Sequence, residues 1–413
     1  MKPQYPPASV RNAVTDVPLP AVILDLRAVE LNAADLVRRA GGMPIRVASK
    51  SLRIPQLIQH VLGLPGFHGV LAYSVAEAIY LVRAGITDDV VVAYPSVDRA
   101  SISQVLDDEE LRSAITFMVD SPQQVQLMLD AGAGSWDATS PARLCLDVDA
   151  SWRPVRGLHI GTRRSPIHTV ADVEHLIEQI FRAMDSAGSS GACRIVGVMM
   201  YEAHIAGVGD NAGGVRQPAI RLMQKLSAAE LATRRGTIVA AVENQLGYPL
   251  EFVNGGGTGS VDSTAAETAV TEVAAGSGLI GPGLFDTYRS FQPWAAQWFA
   301  LPITRIPAAG VVTVAGGGRI ASGPAGADRL PQPVYPPGLE YLPDEGPGEV
   351  QTPLRVSGRT DRLYIGDPVW FRHAKAGELA EHASEVIVIE GTSSNASITA
   401  HWATYRGLGH AFV

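Results

Sequence analysis

Up to Tyr288 the chain alternates short runs of Val, Ile and Leu with longer segments bearing Ala, Leu, Glu and Arg, and this alternation restricts the fold more than any other feature. Strands are predicted over Ile45–Ser49, Gly69–Ser74, Val90–Tyr94, Ile115–Asp120, Arg143–Asp149, Ile195–Tyr201, Leu250–Asn254 and Thr271–Ala275. The segments between them have helical length and stop signals; 75–85 and 122–132 both end in glycine. Crossovers of this kind imply parallel pairing. Eight βα units in succession therefore predict a closed (β/α)8 TIM barrel. One more run, Ala21–Leu26, followed by a helical pattern over Ala28–Arg39, is left outside the count of eight.

After Tyr288 the helical periodicity fades, and Gly- and Pro-rich turns separate strand-like pieces at Gly310–Val314, Arg362–Ile365 and Glu385–Glu390. This texture predicts an appended mainly-β region. The stretch Gly323–Gly348, dense in proline and glycine, reads as an irregular loop or arm.

Composition narrows the partners. A net charge of -8 with only 18% charged residues argues against a nucleic-acid binder, which needs clustered Lys and Arg. Small molecules or copies of the same chain are expected instead. Cys145 and Cys193 both sit in apolar runs and read as buried free thiols of a reducing compartment. Neither a secretory signal pattern nor an apolar run of membrane length is seen, so a cytoplasmic protein without a membrane partner is expected.

In a (β/α)8 barrel the reactive side chains project from the C-terminal ends of the strands, and loops after the seventh and eighth strands often build a phosphate site. Lys50 ends the first predicted strand, Asn254-Gly255-Gly256-Gly257-Thr258-Gly259 follows the seventh and Gly276-Ser277-Gly278 the eighth, so all three share one rim. Without Cβ atoms, consecutive N–H groups can converge on phosphate oxygens, and Thr258 or Ser277 can add a hydroxyl. The small neighbours Ala48, Ser49 and Ser51, with Arg53 close by, suggest a crowded polar pocket in which the Lys50 amine attacks an aldehyde. An exposed lysine beside a flexible turn is the alternative. Arg46 lies an even number of residues before Lys50 and is expected to point into the barrel with it. His204, three residues past Tyr201 at a strand end, is a candidate general base, with a hydrogen-bonded structural histidine as the other reading.

The run Pro20–Leu26 with Asn32, then Val47-Ala48-Ser49-Lys50-Ser51, Tyr73-Ser74, Met200-Tyr201-Glu202-Ala203-His204 and the two glycine segments resemble fold-type III pyridoxal phosphate enzymes, within them the D-threonine aldolase and D-serine dehydratase group. The resemblance covers essentially the whole chain. It implies an alanine-racemase-like barrel over 27–292 and a β domain made of 1–26 plus 293–413 that contributes to the active site. It further implies pyridoxal 5'-phosphate held as a Schiff base on Lys50, the glycine segments as phosphate cradle, and Tyr201 beside the pyridine ring. Arg163 or Arg164 would face the cofactor, and the assembly would be a homodimer. Metal-dependent relatives carry a histidine, one residue, then a cysteine or aspartate; here the run is His373-Ala374-Lys375, and an ammonium repels a cation. The expectation is that the metal is lost and Lys375 supplies the charge, with Glu378 or His382 as substitute ligands otherwise. His373 and Lys375 are thus candidates for the catalytic set, and an exposed turn is the plain alternative. Thr404–His410 is a further polar and glycine cluster, either completing a partner's pocket or forming a surface tail.

The implied chemistry is cleavage of a β-hydroxy D-amino acid to glycine and an aldehyde, with dehydration to a keto acid as the alternative. A racemase and a non-catalytic cofactor binder are the further alternatives; the long segment after Tyr288 favours an enzyme.

Overall fold

The structure is a computed structural model and describes residues 4–132, 136–357, 363–392 and 394–412. Two compact units are formed. One takes in Leu36–Lys50 and Ile58–Gly276; the other takes in the chain up to Asp35, Ser51–Leu57 and Ser277–Ala411.

The first strand, β1 (Ala21–Asp25), belongs to the second unit. The next eight strands close the barrel of the first: β2 (Ile45–Ala48), β3 (Phe67–Ala72), β4 (Val90–Val92), β5 (Ile115–Val119), β6 (Ala142–Asp147), β7 (Cys193–Met200), β8 (Phe252–Gly255) and β9 (Glu272–Ala275). Each pairs in parallel with its neighbour, and β2 closes on β9 through Ile45 opposite Val273. These strands are near-continuous apolar runs because both faces are covered; β5 is buried at every position. The helices between them start where the sequence caps them. Ser74 accepts from the Glu77 N–H at 3.3 Å, and Thr169 with Asp172 forms a capping box ahead of the helix Val170–Ser186.

Arg46 points into the barrel, as expected, and is 2% exposed. It donates to both oxygens of Glu272 at 2.7 and 2.9 Å and to Asp89 at 2.8 Å, while Asn254 donates to Glu272 at 2.8 Å. Although burial works against ionisation of Glu272, hydrogen bonds from His68, Arg46 and Asn254 hold it at about 2 against an ordinary 4.5. A carboxylate depressed in this way stabilises the fold fully above pH 4.5, and that contribution is lost as the pH falls toward 2. Thermal melts are therefore expected to drop between pH 4.5 and 2 more steeply for the native chain than for Glu272→Gln, by an upper bound of about 3 kcal/mol.

In the second unit the sheet is built from β1, β10 (Gln297–Ala308), β11 (Val311–Ala315), β12 (Gln332–Tyr335), β13 (Leu339–Tyr341), β14 (Gln351–Val356), β15 (Pro368–Arg372), β16 (Glu385–Gly391) and β17 (Ala396–Ala403). The order is β13-β14-β11-β10-β1-β16-β17, with β15 paired to β10 and β12. Ile23, Trp298, Trp370, Ile387 and Ile389 form its apolar core.

Two expectations are corrected. The strand expected at Arg362–Ile365 is absent: Arg362 lies outside the described residues, and Tyr364–Asp367 turns back because Asp367 accepts from the Tyr364 N–H at 2.8 Å beside Gly366 at φ +99°. The strand begins at Pro368 instead. The irregular stretch 323–348 contains two strands, β12 and β13. The segment Thr404–His410 is anchored at its start, where Thr404 and Tyr405 are buried and the Tyr405 N–H bonds to the Arg53 carbonyl at 3.0 Å, and is exposed over Arg406, Gly407, Leu408 and Gly409. Cys145 and Cys193 are buried and unbridged, as expected. No helix of the described residues is long and apolar enough to cross a membrane.

Candidate active site

The C-terminal ends of the barrel strands carry a ring of polar side chains. Lys50 follows β2 in a short 3-10 turn, Tyr94 follows β4, Asp120 follows β5, Asp147 ends β6, Tyr201 follows β7, and Gly255 ends β8. Lys50 Nζ donates to the Tyr94 hydroxyl at 3.0 Å. The Arg164 guanidinium carbon lies 5.9 Å from the Tyr94 ring centroid, and its charge bears on Tyr201 and Asp147. Arg163, its neighbour, lacks these contacts, which separates two arginines that the sequence left equivalent.

The glycine loop is a built feature. A Cβ on Gly257 would sit 2.9 Å from Cε2 of Tyr201, and one on Gly255 would sit 3.0 Å from Arg235; Gly256 adopts φ +80°. Glu202, buried beside Tyr201, holds this loop from within. It accepts from the Gly256 N–H at 3.2 Å, Ser260 Oγ at 2.7 Å, Thr264 Oγ1 and Arg235 Nη2 at 3.1 Å. Arg235 also pairs with Glu267. Thr258 is buried, and its carbonyl accepts from Arg39 at 2.8 Å. Tyr201 is pushed up to about 12 by burial, with Glu202 adding to the shift.

Other expected members lie elsewhere. The Asn254 side chain points inside the barrel to Glu272, because as the third residue of β8 it falls on the interior face; the cradle thus begins at Gly255. Gly259 lies in the turn after it, and Gly276 follows β9 on the same rim. Ser277 and Gly278 open a short helix of the other unit. His204 is buried, its Nε2 against Ser227 Oγ, and burial lowers its affinity for a proton. His373 and Lys375 belong to the sheet-bearing unit. Both ring nitrogens of His373 face backbone groups, Nε2 to the Arg319 carbonyl at 3.0 Å and Nδ1 to Lys375 at 2.6 Å from its carbonyl and 3.2 Å from its N–H. Lys375 Nζ donates to Ser322 Oγ at 2.9 Å and lies 3.8 Å from Glu378.

Three rim residues, Tyr94, Asp120 and Asp147, escaped the sequence reading. Tyr94 could have been found by the criterion that picked Tyr201, an aromatic hydroxyl at a strand end. Asp147 has no such signal, since its character comes from its surroundings. Burial and the nearby Asp120 carboxylate, partly offset by Arg164, push it up to about 7 from 3.8. A carboxyl raised by folding leaves stability untouched below about pH 3.8 and lowers it progressively as the pH rises through 7. Asp147→Asn is expected to raise Tm at pH 8 by roughly 2 °C or more and to leave it unchanged at pH 3.5, as differential scanning calorimetry would read.

No protein-family profile matches the chain. A D-threonine aldolase from Arthrobacter sp is 26% identical over 278 residues, spanning 66% of this chain but only 63% of that protein. Among solved structures, D-threonine aldolase from Filomicrobium marinum superimposes with a TM-score of 0.76 at 21% identity, covering 96% of this chain and 98% of the other. D-threo-3-hydroxyaspartate dehydratase from Delftia sp. HT23 follows with a TM-score of 0.69 at 17% identity over 95% and 98%. Alanine racemase from Bacillus anthracis gives 0.59 at 14% identity over 94% and 98%. The chain therefore has the alanine-racemase-like fold, a (β/α)8 barrel with an appended β region, that these proteins share.

Proposed function

We propose that the protein is a pyridoxal-phosphate-dependent lyase that cleaves β-hydroxy D-amino acids between Cα and Cβ, giving glycine and an aldehyde. One observation carries the reading: an amine, Lys50, and a glycine loop closed against Tyr201 share one barrel rim. The residues fit a phosphate-bearing aldehyde: an amine stands on the same rim as a loop that packs too closely for a Cβ at Gly255 and Gly257, and Glu202 fixes the shape of that loop. Lys50 would hold the cofactor covalently, the turn at Thr258-Gly259 beyond the glycines anchored by Glu202 and Ser260 would face its phosphate, and Tyr201 would lie beside its ring. When bound, pyridoxal phosphate supplies an electron sink for the pair left on Cα. Arg164 adds positive charge at the same rim, and Asp147 holds or releases a proton near neutral pH. The β-hydroxy D-amino acid is taken from the relatives' activity.

Dehydration to a keto acid and ammonia is the second reading, favoured by the likeness to the D-threo-3-hydroxyaspartate dehydratase. Incubating the cofactor-loaded protein with D-threonine separates them. Acetaldehyde and glycine are expected; 2-oxobutanoate and ammonia would favour the second reading, and absence of all four would remove both. The reading includes a cytoplasmic homodimer, which size-exclusion chromatography with light scattering tests as twice the chain mass.

A further inference from the structure

Between β6 and the helix Val170–Ser186 the chain makes a long excursion over 148–169 that the barrel itself does not need. It is well anchored. Trp152 and Ile160 exchange backbone hydrogen bonds at 2.8 and 2.9 Å, closing a hairpin. Asp149 accepts from the Ser151 N–H and hydroxyl and from Arg153 at 2.5 Å. From the helix Gln217–Leu246, Arg234 donates to the carbonyls of Asp149 at 2.8 Å and Ser151 at 3.0 Å.

The excursion borders an open cavity of about 610 Å³ whose lining includes the exposed Arg153, Arg156, Arg163 and Arg164 and the half-buried His159, with no carboxylate in its lining. Of the lining arginines, Asp149 pairs with Arg153, and it also lies 3.8 Å from His168. Among the described residues Arg156, Arg163 and Arg164 have no carboxylate within ion-pair distance, so three arginines without an ion-pair partner line one space, with Asp147 acting on Arg164 only at longer range. Planar, permanently charged donors in that arrangement suit a carboxylate or phosphate. The cavity adjoins the reacting centre through Arg164, which lies over Tyr94, itself 3.0 Å from the Lys50 amine.

We propose that this arginine-lined cavity is a subsite for a second anionic group on the substrate, so that the preferred β-hydroxy D-amino acids carry a carboxylate or phosphate beyond the hydroxyl. The inference rests on the lyase reading and sharpens it. A neutral side chain such as the methyl of D-threonine leaves the guanidinium groups uncompensated and is the poorer substrate.

The test compares kcat/KM of the cofactor-loaded protein for D-threonine, D-threo-3-hydroxyaspartate and 4-phosphooxy-D-threonine, in the native chain and in Arg156→Gln and Arg156→Glu. An anionic substrate is expected to exceed D-threonine, and the better of the two identifies carboxylate or phosphate. The ratio of anionic to neutral substrate is expected to fall by about tenfold or more in Arg156→Gln and further in Arg156→Glu. Calorimetric binding of succinate or inorganic phosphate, weakened in both variants, gives a readout that needs no turnover. D-Threonine turnover with no gain from a distal charge, or equal losses on all substrates in the variants, overturns the subsite alone. No turnover of any substrate removes the lyase reading and the subsite with it.

Discussion

Lys50→Ala is expected to abolish turnover of D-threonine, lowering kcat by roughly 10^4-fold or more, the scale of losing a covalent nucleophile. The same change is expected to leave the fold intact. Lys50 is exposed and donates a hydrogen bond to Tyr94, and the barrel ion network of Arg46, Glu272 and Asp89 lies among other residues. A melting curve that superimposes on that of the native apo-protein, together with lost activity, assigns the loss to chemistry. Lys50→Arg separates amine from charge: the guanidinium keeps the charge and the reach, yet cannot give up a proton to become a nucleophile. It is expected to be as inactive as alanine. Retention of activity in either variant would move the reacting amine elsewhere.

Glu202→Ala is expected to lower both stability and cofactor affinity. The carboxylate is 1% exposed and accepts four hydrogen bonds, two from hydroxyls, one from the Gly256 N–H and one from Arg235. Removing it leaves a buried guanidinium with Glu267 as its remaining carboxylate and frees the loop that Gly256 begins. Breaking a buried pair from one side costs about 3–5 kcal/mol. Glu202→Gln keeps the shape but not the charge, so it is expected to retain more of the fold. It should still weaken binding of pyridoxal phosphate by about tenfold, near 1.4 kcal/mol, because two of the four donors must then face an amide nitrogen. Fluorescence titration of the apo-protein with the cofactor reads the affinity and urea unfolding the stability. Affinity unchanged in Glu202→Gln would reduce Glu202 to a purely structural anchor.

The barrel was legible because each of its strands is a short, largely apolar run bounded by turn residues, a local pattern that tertiary context did not override. The sheet was less so. Its central strand, β10, contains Pro302 and Pro307, residues that read as strand breakers; Pro302 is accommodated opposite Pro368 of β15, a cross-strand relationship that no local window contains. Within the site, Lys50 and the glycine loop announced themselves by residue type at strand ends. Asn254 misled because the loop motif and the strand overlap there, and the pleat turned its amide inward to Glu272. Asp147, Glu202 and the arginine cavity depend on burial and on partners far along the chain, so spacing alone could not expose them.

The chain has only four lysines, Lys2, Lys50, Lys225 and Lys375, which makes one measurement especially direct. Protein loaded with pyridoxal phosphate is treated with borohydride, digested and mapped by mass spectrometry. One reduced cofactor on the peptide carrying Lys50, and on no other, is the predicted result. An unmodified Lys50, or the cofactor on one of the other three lysines, would contradict the assignment of this barrel rim as a pyridoxal phosphate site.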